Sequence, residues 1–337
     1  MKNLAAKLLL IFLTLNSTFG RAWAVEPSDS TLKSESTTVD PTLNSSEVGS
    51  DSGLKIFDLG LRRRPEKPRN FFFPALGSFV VPGLGQWLEG QWQAGIFYGA
   101  TGVAGLGIAA AAVQRAGELP NANVDTQSNL IRTYQLGAQI YQSSGGLSAY
   151  ASFRTAVRSQ QPAGRFTFLK HEETTGDLLL APFAFSEILR PTTFIPLLAA
   201  VALSLLDSSA MRGRNLTFAD AGFASAFSYN AGTHEEAVFR GWLMPIGQEY
   251  LGNEFWANTA TATLFAAAHI SSELKFPIYQ FLVGWYLGYQ TQANEWTLQQ
   301  AIFIHTWWDV IAFTSIYLTA KTRPAAMITL PLINLTW

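Results

Sequence analysis

The sequence predicts an all-α fold: a polytopic transmembrane helical bundle, carried behind a signal peptide and a disordered N-terminal linker. Three observations predict it. The 337 residues are 48% hydrophobic and 14% charged, whereas an average soluble domain is about a quarter charged. Eighteen of the 47 charged residues fall in positions 1–70, so only about 11% of the remaining 267 are charged, too few to coat a soluble surface of that size. From Phe71 onward, apolar segments succeed one another to the C-terminus. The net charge of −1 gives no field that would draw a nucleic acid, so no nucleic-acid partner is expected. The chain has no cysteine, which excludes disulfides, thiolate metal sites and a cysteine nucleophile.

Residues 1–24 read as a signal peptide. Lys2 and Lys7 give a basic start, Leu8 to Leu15 an apolar stretch, and Ala22-Trp23-Ala24 a small-x-small cleavage site, with Arg21 an unusual neighbour to it. Residues 25–70 read as a disordered, partly basic linker. Val25 to Leu54 is rich in Ser and Thr, holds scattered acids and no aromatic, and so buries too little to offset its ordering entropy. Arg62, Arg63, Arg64, Lys67 and Arg69, broken by Pro65 and Pro68, then form a basic knot directly before an apolar run. That position suits contact with lipid headgroups. Basic flanks prefer the cytoplasm, whereas an export signal would place this knot outside.

Residues 71–177 form an N-terminal hydrophobic and interfacial region. Phe71 to Leu88, with Pro74 and Pro82, reads as a broken or re-entrant segment, and its Pro-Gly-x-Gly-Gln as a tight turn; no lysine follows, so it is no phosphate loop. Gly90 to Gln114 runs 25 residues without a charge, and Gly95, Gly99, Gly102 and Gly105 give it a face for close packing in lipid. Helices are expected near Asn129–Gln142 and Ser148–Val157, the first lying at the interface on Tyr134, Leu136, Ile140 and Tyr141. Residues 178–337 form the core. Apolar segments run over Leu178–Leu189, Thr192–Leu206, Thr217–Gly232, His234–Tyr250, Phe255–Ile270, Phe276–Tyr289, Thr297–Ala320 and Ala325–Trp337. Several fall short of about 20 residues, and about six to eight spans are expected in all.

Charge inside an apolar segment is costly and points to function. Three such segments lie near the C-terminus: His234-Glu235-Glu236-Ala237-Val238-Phe239-Arg240, Phe265 to His269, and His305-Thr306-Trp307-Trp308-Asp309. They hold three of the chain's four histidines. On a helix, Glu236 and Arg240 are four apart and pair, while Glu235 is turned by about 100° and faces a neighbouring helix. His305 and Asp309 share a face, and His269 adds a second imidazole. Converged, these groups would hold and deprotonate a water, or bind a divalent metal. Glu235 in a dry pocket would serve as the base for water attack on a peptide carbonyl, with His269 and His305 orienting the water or stabilising the oxyanion. His234-Glu235 with Val238 is not a His-Glu-x-x-His zinc helix. His171-Glu172-Glu173 mimics the first motif without its arginine and reads as a solvated loop. Trp307 and Trp308 read as packing or interface anchors.

Glu-Glu-x-x-x-Arg, Phe-x-x-x-His and His-x-x-x-Asn/Asp, in this order on separate apolar segments, resemble the CPBP family of intramembrane proteases, which includes the CAAX prenyl proteases and the bacteriocin-processing Abi-type proteins. The resemblance covers about Thr192 to Leu318. It implies an intramembrane endopeptidase in the inner membrane of a bacterial cell, acting on membrane-associated peptides or proteins amid membrane lipids. By motif, Glu235 is the base, Glu236 and Arg240 support it, and His269, His305 and Asp309 complete the site. The family is catalogued as metallo-endopeptidases, and a metal-free glutamate mechanism is also argued for it. A divalent ion such as zinc would therefore take His269, His305 and Asp309, with Glu235, as ligands. Asp309 stands where many members have Asn, which adds negative charge. Two other readings compete: a catalytically silent scaffold or immunity factor, and a proton-coupled carrier, since buried acids and histidines also form relays.

Overall fold

The structure, a computed structural model, describes residues 69–119, 124–206, 216–270 and 276–319. The expected signal peptide, the linker up to residue 68 and the segment Ala325–Trp337 lie outside the described residues. Among the described residues every regular element is helical.

α1 (Phe73–Val80) and α2 (Leu84–Leu88) form a hairpin about Pro82-Gly83. Gly83 sits at φ +90°, and a Cβ there would stand 2.2 Å from the Gly95 carbonyl oxygen, so the turn requires glycine. The hairpin returns to the end of the molecule where it began. Arg69 donates from its backbone to Ser159 and from its guanidinium to the Glu89 carbonyl, and Gln160 donates to the Arg69 carbonyl. The expected break in this segment is thus present. Gln86 clamps it in place: its amide nitrogen donates to the Ser148 carbonyl at 2.8 Å, and its oxygen accepts from the Ser148 hydroxyl at 2.6 Å.

α3 (Trp92–Glu118) runs antiparallel to α4 (Val124–Gln160). The two backbones meet where Gly105 faces Gly137: a Cβ on Gly105 would lie 2.5 Å from the Gly137 oxygen. The small-residue face of α3 therefore packs as expected. α4 differs from expectation. It is one helix of 37 residues instead of two, and it stands in the interior. Its Ser144, Ser148, Tyr150, Phe153 and Val157 are buried. Gly145 and Gly146 do not break it, because neighbours fill the space their missing side chains leave: the Phe79 carbonyl at one, the His234 ring at the other.

α4 divides two apolar clusters. One gathers Phe71, Phe153, Phe166, Trp242, Met244 and Trp296; the other gathers Tyr98, Tyr150, Leu178, Leu298 and Ile302. α5 (Thr175–Leu180), opened by a capping box between Thr174 and Asp177, leads through short 3₁₀ turns to α6 (Pro191–Leu206). α7 (Phe218–Asn230), α8 (Glu236–Val238) and α9 (Met244–Leu251) join end to end through two π-helical turns, Ala231–Glu235 and Phe239–Leu243. The segments expected at Thr217–Gly232 and His234–Tyr250 are therefore one rod. α10 (Glu254–Ala267), α11 (Ile278–Ala293) and α12 (Gln299–Thr319) complete the bundle.

Among the described residues one helix, Trp92–Glu118, is long and apolar enough to cross a membrane by length and composition. The others miss that measure for visible reasons. α7, α10 and α11 are 13 to 16 residues long, and α12 carries Gln299, Gln300, His305, Thr306 and Asp309 in its N-terminal half.

Candidate active site

The rod of α7–α9 carries Glu235, Glu236 and Arg240 at its middle: Glu235 closes the first π-turn, Glu236 opens α8, and Arg240 lies in the second π-turn. A π-turn inserts an extra residue into the helical ladder and is frequent at functional sites. Here two of the three charged residues are themselves in such turns. α12 crosses the rod at Gly232. A Cβ at that position would lie 1.8 Å from the Thr306 hydroxyl and 2.9 Å from the Ile302 carbonyl oxygen. This close crossing brings His305 and Asp309 against Glu235 and Glu236. α10 ends at the same level and delivers His269.

Glu236 is fully buried and has two partners. Its Oε1 accepts from Arg240 Nη1 at 2.8 Å and from His305 Nδ1 at 2.7 Å. Arg240 is equally buried; its Nη2 donates to the Gly284 carbonyl at 2.7 Å, and its guanidinium lies over the Phe265 ring at 4.5 Å. The pair expected from four-residue spacing is thus present, and α11 and α10 supply the two contacts that the spacing did not show. An isolated buried ion pair pays heavily for desolvation; the additional hydrogen bonds and the ring offset that cost here.

Glu235 points away from this pair, toward the histidines. Its Oε2 lies 3.7 Å from His269 Nε2 and 3.9 Å from His305 Nε2, and His305 Nε2 lies 3.8 Å from Asp309 Oδ2. All six sequence-predicted residues therefore meet in one place. The imidazoles are held from behind. His269 Nδ1 lies 2.8 Å from the Phe265 carbonyl, which can only accept, so Nδ1 carries a hydrogen. His305 Nδ1 likewise faces a carboxylate oxygen of the Arg240-paired Glu236. Both Nε2 atoms are thereby turned toward Glu235, across gaps longer than a direct hydrogen bond and of the length a bridging water spans.

Among the described residues no group of three or more His, Asp or Glu side chains is gathered to hold a metal ion. The four atoms that the metal reading requires (on His269, His305, Asp309 and Glu235) converge, yet not as a ready-made coordination shell.

Three further residues, given no role by the sequence reading, line the site. Phe265 backs both histidines, with ring centroids 4.5 Å from His269 and 5.9 Å from His305. Gly284 offers the carbonyl that anchors Arg240. His234 is buried beside Glu235 and packs on α4 at Gly146. Phe265 heads the Phe-x-x-x-His motif and His234 is a polar residue in an apolar run; Gly284 carried no signal.

Outside the helical core, His171 and Glu172 lie on an exposed loop as expected, but Glu173 turns inward. Its carboxylate accepts from the Leu298 backbone N–H, at 2.8 and 3.0 Å, and so caps the start of α12. Burial pushes its pKa up to about 7. Glu89, in the turn before α3, accepts from Ser152 at 2.7 Å and is likewise raised by burial to about 7. Trp307 packs on Phe185 and Phe303 and donates to the Pro182 carbonyl at 2.9 Å; it is a packing residue, as expected.

Residues 218–311 match the family model of the Rce1-like, Type II CAAX prenyl endopeptidases. The matched segment runs from α7 into α12 and contains all six residues of the site. The match is consistent with a CPBP family protease, as the three motifs implied, and it suggests CAAX-type intramembrane protease activity. No curated protein and no solved structure matches the chain.

Proposed function

We propose that the chain is a multi-pass intramembrane endopeptidase in which Glu235 activates water to cleave membrane-associated peptides or proteins. The observation that carries this reading is the convergence of Glu235, His269 and His305 from three separate helices, with Nε2 atoms 3.7 and 3.9 Å from one carboxylate oxygen. A water among these atoms has a base on one side and imidazoles to orient it on the other. Attack on the carbonyl transfers the water proton to Glu235, which passes it to the departing amine. With Nδ1 carrying the hydrogen, each Nε2 accepts from the water and so orients it for attack. Glu236 and Arg240 do not touch the reacting atoms; they fix His305 and the rod. Asp309, beside His305 Nε2, holds that ring from the other edge.

The membrane setting is supported by the surface. Large apolar side chains are exposed along α3, α6 and α11, among them Val103, Ile195, Leu203, Ile278 and Leu282. Exposed apolar area of this extent marks contact with a partner or with lipid. The basic knot and export signal of the N-terminus, together with placement in a bacterial inner membrane, belong to the same proposal.

The test is cleavage of membrane-tethered peptides by the purified protein in detergent, comparing wild type with Glu235→Ala. Loss of cleavage in the variant is expected; equal cleavage would remove Glu235 from the mechanism, and cleavage by neither across a broad peptide set would favour the silent scaffold. Stripping divalent ions with a chelator is expected to leave the rate unchanged. A rate lost to chelation and restored by zinc would return His269, His305, Asp309 and Glu235 to the role of ligands.

A further inference from the structure

α4 lies outside the matched segment, yet one of its faces leads to the site. Ser128, Arg132, Gln135, Gln139, Gln142 and Gly146 recur at intervals of four and three residues. At 100° per residue they fall within about 40° of one line along the helix. Ser128, Gln135, Gln139 and Gln142 are all at least 97% buried. The stripe faces the α7 rod, because its two ends touch that rod: Arg132 pairs with Asp220 at 2.6 Å, and Gly146 receives the ring of His234. Fourteen residues separate the contacts on each strand of the pair, so α4 and the rod run parallel and the glutamines lie between them.

A buried polar stripe between helices in lipid normally serves as interhelical glue, with each amide bonded across the gap. This one does not. Both side-chain atoms of Gln142, the Gln135 oxygen and the Ser128 hydroxyl are buried without a hydrogen-bond partner. So are the Asn230 amide nitrogen and His234 Nδ1 on the facing rod. Dry, each orphaned group would carry the uncompensated cost of its desolvation. Four such atoms along one face of α4, with two more on the rod opposite, form the pattern of a hydrated path.

We propose that this face of α4 carries a file of waters from the outer end of the helix, beside exposed Gln127 and Asn129, to His234 and Glu235. The path is about 27 Å long at 1.5 Å per residue. Its purpose rests on the hydrolase reading: a protease working within lipid needs a supply of its second substrate, water, and the glutamines pass it by hydrogen bonds without adding charge.

The chain's lack of cysteine makes the test direct. Single variants Gln135→Cys, Gln142→Cys and Ser128→Cys, the last differing from wild type by one atom, are made in the full chain in proteoliposomes. They are exposed to 2-aminoethyl methanethiosulfonate and to silver ion, both of which need water to reach a thiolate. Ala138→Cys and Leu147→Cys, buried on α4 to either side of the stripe, are the dry controls. The proposal expects all three stripe positions to label at least about tenfold faster than either control. Equal, slow labelling at all five overturns it. A misfolded variant reveals itself by aggregated elution, and then Ser128→Cys decides the outcome. Labelling requires no cleavage, so the two readings fail separately: a dry stripe with Glu235-dependent cleavage removes only the water file, and a wet stripe without such cleavage removes only the hydrolase.

Discussion

At the scale of the residue, the site divides into a carboxylate that is spoken for and one that is aimed at the histidines. Glu236 is engaged at Oε1 by Arg240 and His305, whereas Glu235 faces two imidazole nitrogens at 3.7 and 3.9 Å. The two adjacent acids should therefore fail differently. Glu235→Gln is expected to lower cleavage by roughly 10²–10⁴-fold, the worth of a general base, with little change in melting temperature. Arg240→Met leaves Glu236 buried beside no cation and is expected to cost about 3–5 kcal/mol of stability, read as a lower melting temperature in detergent. Comparable losses of activity with no difference in stability between them would contradict this division. Two acids outside the helical core give a pH dependence. Glu89 and Glu173 are both raised by burial from 4.5 to about 7, so the folded protein binds their protons more tightly than the unfolded chain does. Their contribution to stability is full below about pH 4.5 and is lost as pH rises through 7. The melting temperature should fall between pH 5 and 8, and the Glu89→Gln, Glu173→Gln double variant should flatten that slope.

At the scale of the element, the site depends on how closely α12 lies on the rod. Gly232 admits the Thr306 hydroxyl into the space of its missing side chain. Gly232→Ala should push α12 outward and cost about 1–3 kcal/mol as overpacking, with loss of cleavage because His305 and Asp309 move with that helix. Unchanged cleavage by a folded Gly232→Ala protein would show that the crossing does not set the site. The sequence made the residues of the candidate site readable because charge in apolar segments is rare and the three motifs hold three of four histidines. The crossing itself was not readable, since a glycine that admits a neighbour looks like any other glycine. Likewise the single helix α4 was hidden by Gly145-Gly146, which suggests a break until the Phe79 carbonyl and His234 are seen filling the space. Glu173 was hidden by its exposed neighbours His171 and Glu172; its burial comes from the Leu298 N–H, 125 residues away.

At the scale of the whole molecule, the N-terminal helices and the matched segment share one core, since α4 contributes Tyr150 and Phe153 to opposite clusters and touches the rod at Gly146. Residues 71–177 should therefore be inseparable from the site. A chain beginning at residue 178 is expected to lose the wall behind His234 and to be recovered aggregated, and a soluble, active truncation would contradict that. The central claim is that Glu235, His269 and His305 surround one point. With only four histidines in the chain, selective ¹⁵N-imidazole labelling and NMR of the detergent-solubilised protein reads that point directly. Nδ1 should be protonated in both His269 and His305, and Glu235→Gln should shift the Nε2 resonances of both while leaving His171 unmoved. A substitution that shifts neither ring, or an Nδ1 without its hydrogen in either one, would contradict the account.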